Sequence, residues 1–365
     1  MLEFVQQLIN GVSVGSIYAL IAVGYTMVYG VLQLINFAHG DVFMVGAVVS
    51  YYAATRRIAP SMPWWIHVTV VLAIALGFAI PLLLGRNWRL ALRGVLPFII
   101  IYLALVPGLY VASLIADSAG LPDSSWGRAA FALVLAIVTC GLLGYTIERL
   151  AYRPLRDRPR INSLITAIGI SLLLEFGGQH RSVFGPTPQA YPDLVPGVHE
   201  HVRLLGLIVS RVDIIVVSIT FLLMVILSYI VLKTKSGLAL RAVSFRFDTA
   251  ALMGVNIDRV ISFTFVLGSC LASVAGVLYA VKYPTVEPLM GLLPGLKAFV
   301  AAVFGGIGNI AGAVVGALFL GMIEVLVVYL PGGSQYRDGV AFVILIIMLL
   351  VKPSGLLGKH VVEKV

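Results

Sequence analysis

This sequence has little charge. Only 11% of its 365 residues are Asp, Glu, Lys or Arg, against roughly 25% in soluble domains. That is too few to wet a globular surface, so an ordinary water-soluble fold is excluded. Cysteine is nearly missing too: Cys140 and Cys270 both sit inside apolar runs, where they act as small buried hydrophobes and say nothing about a disulfide. The opening MLEFVQQLINGVSVG has no basic start, so it is not an ordinary cleaved signal peptide and reads as a first span that is kept. No Gly-x-x-x-x-Gly-Lys-Ser/Thr occurs, which excludes a phosphate-cradling loop. No nucleophile–base pair stands out, which argues against a membrane enzyme.

What is present is hydrophobic: 60% of the residues are apolar and the mean hydropathy is +1.03. The apolar runs are mostly about twenty residues long, twice the ~10 that a tilted strand needs to cross a bilayer. Backbone groups in hydrocarbon must be satisfied internally, so these runs are helices. Spans are expected near 5–32, 37–55, 66–85, 95–116, 127–147, 161–178, 206–232, 260–281, 295–305, 309–330 and 338–351. The fold class is therefore all-α: a polytopic integral membrane bundle of about 10–11 membrane segments. The net charge of +9 is not a nucleic-acid signature, because its placement fits a membrane edge. Arg86, Arg89 and Arg93 share one connection, Arg149, Arg153, Arg156, Arg158 and Arg160 another, Lys233, Lys235, Arg241, Arg246 and Arg259 a third, and Lys352, Lys359 and Lys364 the tail. These segments alternate with poorer ones across the membrane and are expected in the cytoplasm. The N-terminus then lies outside and the C-terminus inside.

Two places break the helical pattern. One is LINFAHGDVFMVGA (34–47), which sets Asn36, His39, Gly40 and Asp41 between apolar runs; the other is Phe304-Gly-Gly-Ile-Gly-Asn309. An Asp at the bilayer centre costs roughly 2.5–3.5 kcal/mol, so Asp41 must face a partner or water. Asn36 or Asp41 capping the next helix is one reading; a polar lining of a transport route is another, compatible with it. The run 295–305 reaches only about 17 Å and reads as a half-helix that turns back, with Gly305, Gly306 and Gly308 allowing the turn and Asn309 following it. A short echo between Gly15-Ser-Ile-Tyr-Ala-Leu20 and Gly276-Val-Leu-Tyr-Ala-Val281 hints at a duplicated design. Glu175 and Glu324 fall near the outer ends of their spans. His199-Glu200-His201 alternate in a Pro-rich loop without further ligand spacing, so no metal site is expected.

The segment 233–259, KTKSGLALRAVSFRFDTAALMGVNIDR, is the most informative connection. Leu240, Val243, Phe247 and Ala251 recur at helical spacing and form one apolar stripe, with Arg241, Phe245 and Asp248 pointing elsewhere. Such a helix either lies on lipid or docks a cytosolic partner. Asp248-Thr-Ala-Ala-Leu-Met-Gly254 resembles the first half of the EAA-x-x-x-G loop of ABC importer permeases. On that reading Arg241, Val243, Phe245, Arg246, Phe247, Asp248, Ala250, Ala251 and Gly254 are the expected ATPase-coupling residues.

Taken together, the sequence resembles the LivH-type permease of branched-chain amino-acid ABC importers. The likeness runs through Asn10 to Gly30, Ile35-Asn-Phe-Ala-His-Gly-Asp41, Glu148-Arg149 with Ala151-Tyr-Arg-Pro154, Leu252 to Val260, Lys297-Ala-Phe299, Gly305-Gly-Ile-Gly308 and the final Val-Glu-Lys-Val. The resemblance implies one transmembrane domain over 1–365, in which 66–116 reads as an inserted helical hairpin. It further implies a bacterial inner-membrane location, a second (M-type) permease, two cytoplasmic ATPases and a periplasmic binding protein. ATP and Mg belong to the ATPases, and no cofactor is expected in this chain. The solute stays open, because urea and amide importers share this architecture. A passive channel is the rival reading, but the Asn-Pro-Ala of aquaporin-like breaks occurs at neither break here.

Overall fold

The computed structural model describes residues 2–55, 125–156, 158–181, 183–204 and 206–358. The expected crossings 66–85 and 95–116 lie outside them. Eleven helices occur among the described residues: α1 (Leu2–Leu32), α2 (His39–Thr55), α3 (Trp126–Ile147), α4 (Arg160–Gln179), α5 (Arg211–Lys233), α6 (Lys235–Phe245), α7 (Phe247–Leu252), α8 (Ile257–Lys282), α9 (Leu292–Gly305), α10 (Ile310–Tyr329) and α11 (Arg337–Val351). Seven stretches, built on α1, α3, α4, α5, α8, α10 and α11, are long and apolar enough to cross a membrane.

The helices sort by burial. In its most apolar stretch α1 is 94% buried and α8 72%, whereas α4 and α11 reach only 17% and 11%. So α1 and α8 form the centre, and α4, α5 and α11 turn their Ile, Leu and Phe side chains outward. Lipid is as apolar as leucine and gives helices little hydrophobic reason to associate, so close packing of small residues has to do it. Gly15 shows this: a Cβ there would sit 2.7 Å from Leu318 Cα of α10. The echoed Gly276 plays the same part on α8, where its missing side chain admits the α2 backbone at Phe43.

At one end, short strands tie the connections together. Residues 189–190 pair antiparallel with 285–286, and His201–Leu204 pair with Leu207–Ser210. The expected span 206–232 accordingly starts late, at Arg211, because its first residues turn through Gly206 (φ +85°) into a strand. Tyr191 donates to Ser50 Oγ of α2 at 3.0 Å, and burial raises its hydroxyl above the usual range, which keeps it a neutral donor. His199 and Glu200 point to separate partners, Asp193 at 3.1 Å and Arg211 at 2.8 Å.

The other end carries most of the basic residues. It holds the C-terminus of α1, a π-helical turn (Glu148–Tyr152) that runs into a 3-10 turn (Arg153–Leu155), the small helices α6 and α7, and the α9–α10 turn.

Candidate functional site

The two breaks meet at this basic end. Helix α1 stops through Gln33, the one non-glycine residue at positive φ (+53°) among those described. The chain then climbs back, and α2 starts only at His39. His39 lies against Gly24 of α1, two turns before that helix ends, so α2 begins well inside the bundle. Gly40 packs on the start of α9: a Cβ on it would sit 2.7 Å from the Gly291 carbonyl oxygen. Helix α9 has 14 residues, about 21 Å at 1.5 Å per residue. It is short as expected, but it does not turn back at membrane depth, because it starts inside the bundle beside Gly40 and runs out to the basic end, completing a crossing that non-helical chain after Lys282 begins. It starts at Leu292 because Pro294 falls in the first turn, where a missing N–H leaves nothing unsatisfied.

The polar residues of the first break are buried: Asn36 is 4% exposed, His39 1% and Asp41 2%. Asn36 is no helix cap here, because α2 starts three residues later, at His39; its Oδ1 accepts from Tyr152 Oη at 2.9 Å. Tyr25 stands edge-on over His39, with ring centroids 4.7 Å apart. Asp41, in the first turn of α2, lies beside Ser171 and Glu175 of α4, which places a second acid next to it. Neither His39 Nε2 nor Asp41 Oδ2 has a hydrogen-bond partner among the described residues.

The second break is closed by the chain's own tail. The amides of Leu356 and Leu357 donate to the carbonyls of Phe304 and Gly305 at 2.8 and 3.0 Å, and Asn309 Nδ2 donates to the Leu357 carbonyl at 2.9 Å. Asn309 also caps α10 by accepting from the Gly312 amide. Gly306 (φ +109°) and Gly308 (φ +90°) take conformations closed to other residues, and Gly308 approaches Gly30 of α1. Among these residues, then, the first break carries the buried polar groups, while the second is a sealed turn.

The expected single stripe over 240–251 is two helices. Arg246 is extended (φ −155°, ψ 118°) and separates α6 from α7. That shifts the helical phase: Leu240, Val243 and Ala250 are buried against the chain's own bundle, Phe247 is half-buried, and Ala251 is exposed. The apolar residues left free are others, namely Phe245 (85% exposed), Leu252 (88%) and Met253 (80%). Arg241, Arg246, Asp248 and Gly254 are exposed around them. Gly254 (φ +80°) ends α7 in a Schellman turn, with its amide on Ala251 O at 2.9 Å and the Val255 amide on Ala250 O at 3.0 Å. Beside α6 and α7 opens a cavity of about 820 Å³ walled by Arg153, Arg156, Arg158, Arg246, Phe245, Phe247 and Asp258.

Sequence reasoning did not find the ion pairs, because most of them join different helices. Lys297 of α9 donates to Glu324 of α10 at 2.9 Å and pairs with Asp338 at 2.6 Å; Arg337 and Tyr18 also donate to Glu324. Lys282 joins Asp213 and Ser13. At the basic end Arg153 and Arg156 share Asp258, and Arg156 also holds the fully buried Glu148.

Comparison with known proteins decides the family. The profile described as "Branched-chain amino acid transport system / permease component" matches residues 7–110 and 102–349. The chain belongs to this permease family. It is 37% identical to the high-affinity branched-chain amino acid transport system permease protein LivH of Escherichia coli K12, covering 100% of this chain and 98% of that protein. The permease protein BraD of Pseudomonas aeruginosa is likewise 37% identical, at the same coverage. A more distant relative, the autoinducer 2 import system permease protein LsrC of Escherichia coli O9:H4, is 29% identical over 36% of the chain and 40% of its own length. No solved structure matches. Membership makes the chain the membrane-embedded component of a transport system, and the seven long apolar helices among its described residues make it multi-pass.

Proposed function

We propose that this permease and a second, related permease form the route by which branched-chain amino acids enter the cell. Identity of 37% along the whole chain to two high-affinity branched-chain amino acid permeases carries this reading. The basic end faces the cytoplasm, as the clustering of Arg and Lys there favours, and the strand-tied end faces the binding protein that delivers the solute. ATP is hydrolysed by partner ATPases, which dock on α6 and α7 through the exposed Phe245, Leu252 and Met253. Asn36, His39 and Asp41 line the route near the start of α2; their burial within the bundle and the two unpaired atoms support that placement.

Cells producing the complete system, with this chain as its H-type permease, should take up labelled leucine. Excess valine and isoleucine should suppress that uptake, and urea or acetamide should leave it unchanged. Competition by urea or acetamide, and none by valine, would move the assignment to the amide-type importers.

A further inference from the structure

The ion network at the basic end has a graded exposure that a purely structural cluster does not require. Its outer members, Arg153 and Asp258, have side chains 35% and 44% exposed and wall the cavity beside α6 and α7. Asp258 also stands in the first turn of α8, only a few residues after α7 ends. Its middle member, Arg156, holds Asp258 Oδ1 at 2.6 Å and reaches Glu148. Glu148 is wholly buried and accepts a further bond from Ser262 of α8 at 2.5 Å.

From Glu148 the connection continues inward. Glu148 opens the π-helical turn that ends at Tyr152. A π-turn carries one residue more than an α-turn and is frequent at functional sites. Here it directs Tyr152, 2% exposed, to Asn36 in the break between α1 and α2. The Tyr152 ring is held from the side by Phe265 of α8, 5.2 Å between centroids. Next to Asn36, Phe37 packs on Phe299 of the short helix α9, with centroids 6.2 Å apart. Side-chain contacts on either side of the π-turn, joined through its backbone, thus lead from the surface next to α7 to the break that holds His39 and Asp41.

We propose that Asp258, Arg156, Glu148 and Tyr152 are positioning residues that set the loop 33–38, and with it the start of α2, according to the state of the docked ATPases. This rests on the reading that the ATPases dock at α6 and α7. Such a role needs charged groups at the surface, where a partner can compete for or reinforce them. It also needs a neutral, directional bond at the inner end, where a charge would be costly. The network has both in that order. The strained Gln33 at the head of the loop is the kind of backbone that two arrangements of a loop exchange through.

Tyr152→Phe tests this, since it removes one hydroxyl and keeps the ring against Phe265. Glu148→Gln is the companion variant. Each is assembled with the partner permease, the ATPases and the loaded binding protein in proteoliposomes, and both ATP hydrolysed and amino acid imported are measured. The expected result for Tyr152→Phe is full ATPase co-purification, continued hydrolysis, and import per ATP reduced about fivefold, the equivalent of one ordinary hydrogen bond. A wild-type ratio of import to hydrolysis in Tyr152→Phe overturns the proposal, and so does loss of the ATPases from that variant. The docking reading fails separately, if the ATPases stay bound when Phe245 is replaced by Asp.

Discussion

Phe245→Asp is expected to strip the ATPases from the permease while leaving it inserted and paired with its partner permease. Phe245 ends α6 with 85% of its surface free, and it touches too little of its own chain for the fold to depend on it. Burying such a ring in a partner groove is worth about 1.5–3 kcal/mol. Placing a carboxylate in that groove adds a desolvation cost of at least similar size. Together about 4–5 kcal/mol is lost, on the order of a thousandfold in affinity. Co-purification of the ATPases with a tagged permease reads this directly. Leu240→Ala is the contrast: Leu240 is buried against the chain's own helices, so its loss should lower thermal stability in detergent before it lowers ATPase binding. Retention of the ATPases by Phe245→Asp would mean that α6 and α7 lie on lipid and do not dock a partner.

Glu324→Ala should sharply lower the stability of the permease and its yield as a folded protein. Glu324 is 2% exposed on α10, and Lys297 (4% exposed), Arg337 and Tyr18 all donate to it. Removing the carboxylate leaves the buried Lys297 with only Asp338, which is half exposed. It leaves Arg337 without its partner on α10. Breaking a buried pair in this way costs about 3–5 kcal/mol, a large part of a total stability of about 5–15 kcal/mol. Asp338→Asn, at the exposed rim of the same cluster, should cost no more than about 1 kcal/mol. Size-exclusion profiles and thermal unfolding of the detergent-extracted variants distinguish the two. A monodisperse Glu324→Ala protein with wild-type unfolding would show that the cluster is not what joins α9, α10 and α1.

How much of this was legible follows from what each feature depends on. Helix class, the break before α2 and the shortness of the helix before Gly305 depend on local length and composition, and the sequence carries all three; that α9 finishes a crossing and does not turn back depends on packing. The stripe over 240–251 shows the opposite case. Its three- and four-residue spacing runs unbroken across Arg246, so nothing in the pattern marks the extended residue that splits α6 from α7. The phase slips there, Ala250 turns inward in place of Ala251, and the free apolar surface moves to Phe245, Leu252 and Met253. Asn36 was readable as a polar residue needing a partner, but the partner, Tyr152, stands 116 positions away. Glu175 is as remote from Asp41 in the chain, and Lys297 and Arg337, though only 27 and 13 positions from Glu324, lie on other helices. An acid in an apolar run announces that a counter-group exists; which one it is depends on helix packing, which no single sequence states.

The central claim is that this chain conducts amino acid only when ATPases drive it from the basic end. Proteoliposomes holding the permease, its partner permease and the ATPases, with binding protein and labelled leucine on the side away from the ATPases, measure that claim directly. The account predicts leucine movement toward the ATPase side that needs ATP, ceases when this chain is omitted, and ceases equally with Phe245→Asp. Leucine equilibrating across the membrane at the same rate without ATP would contradict it and make the chain a passive channel.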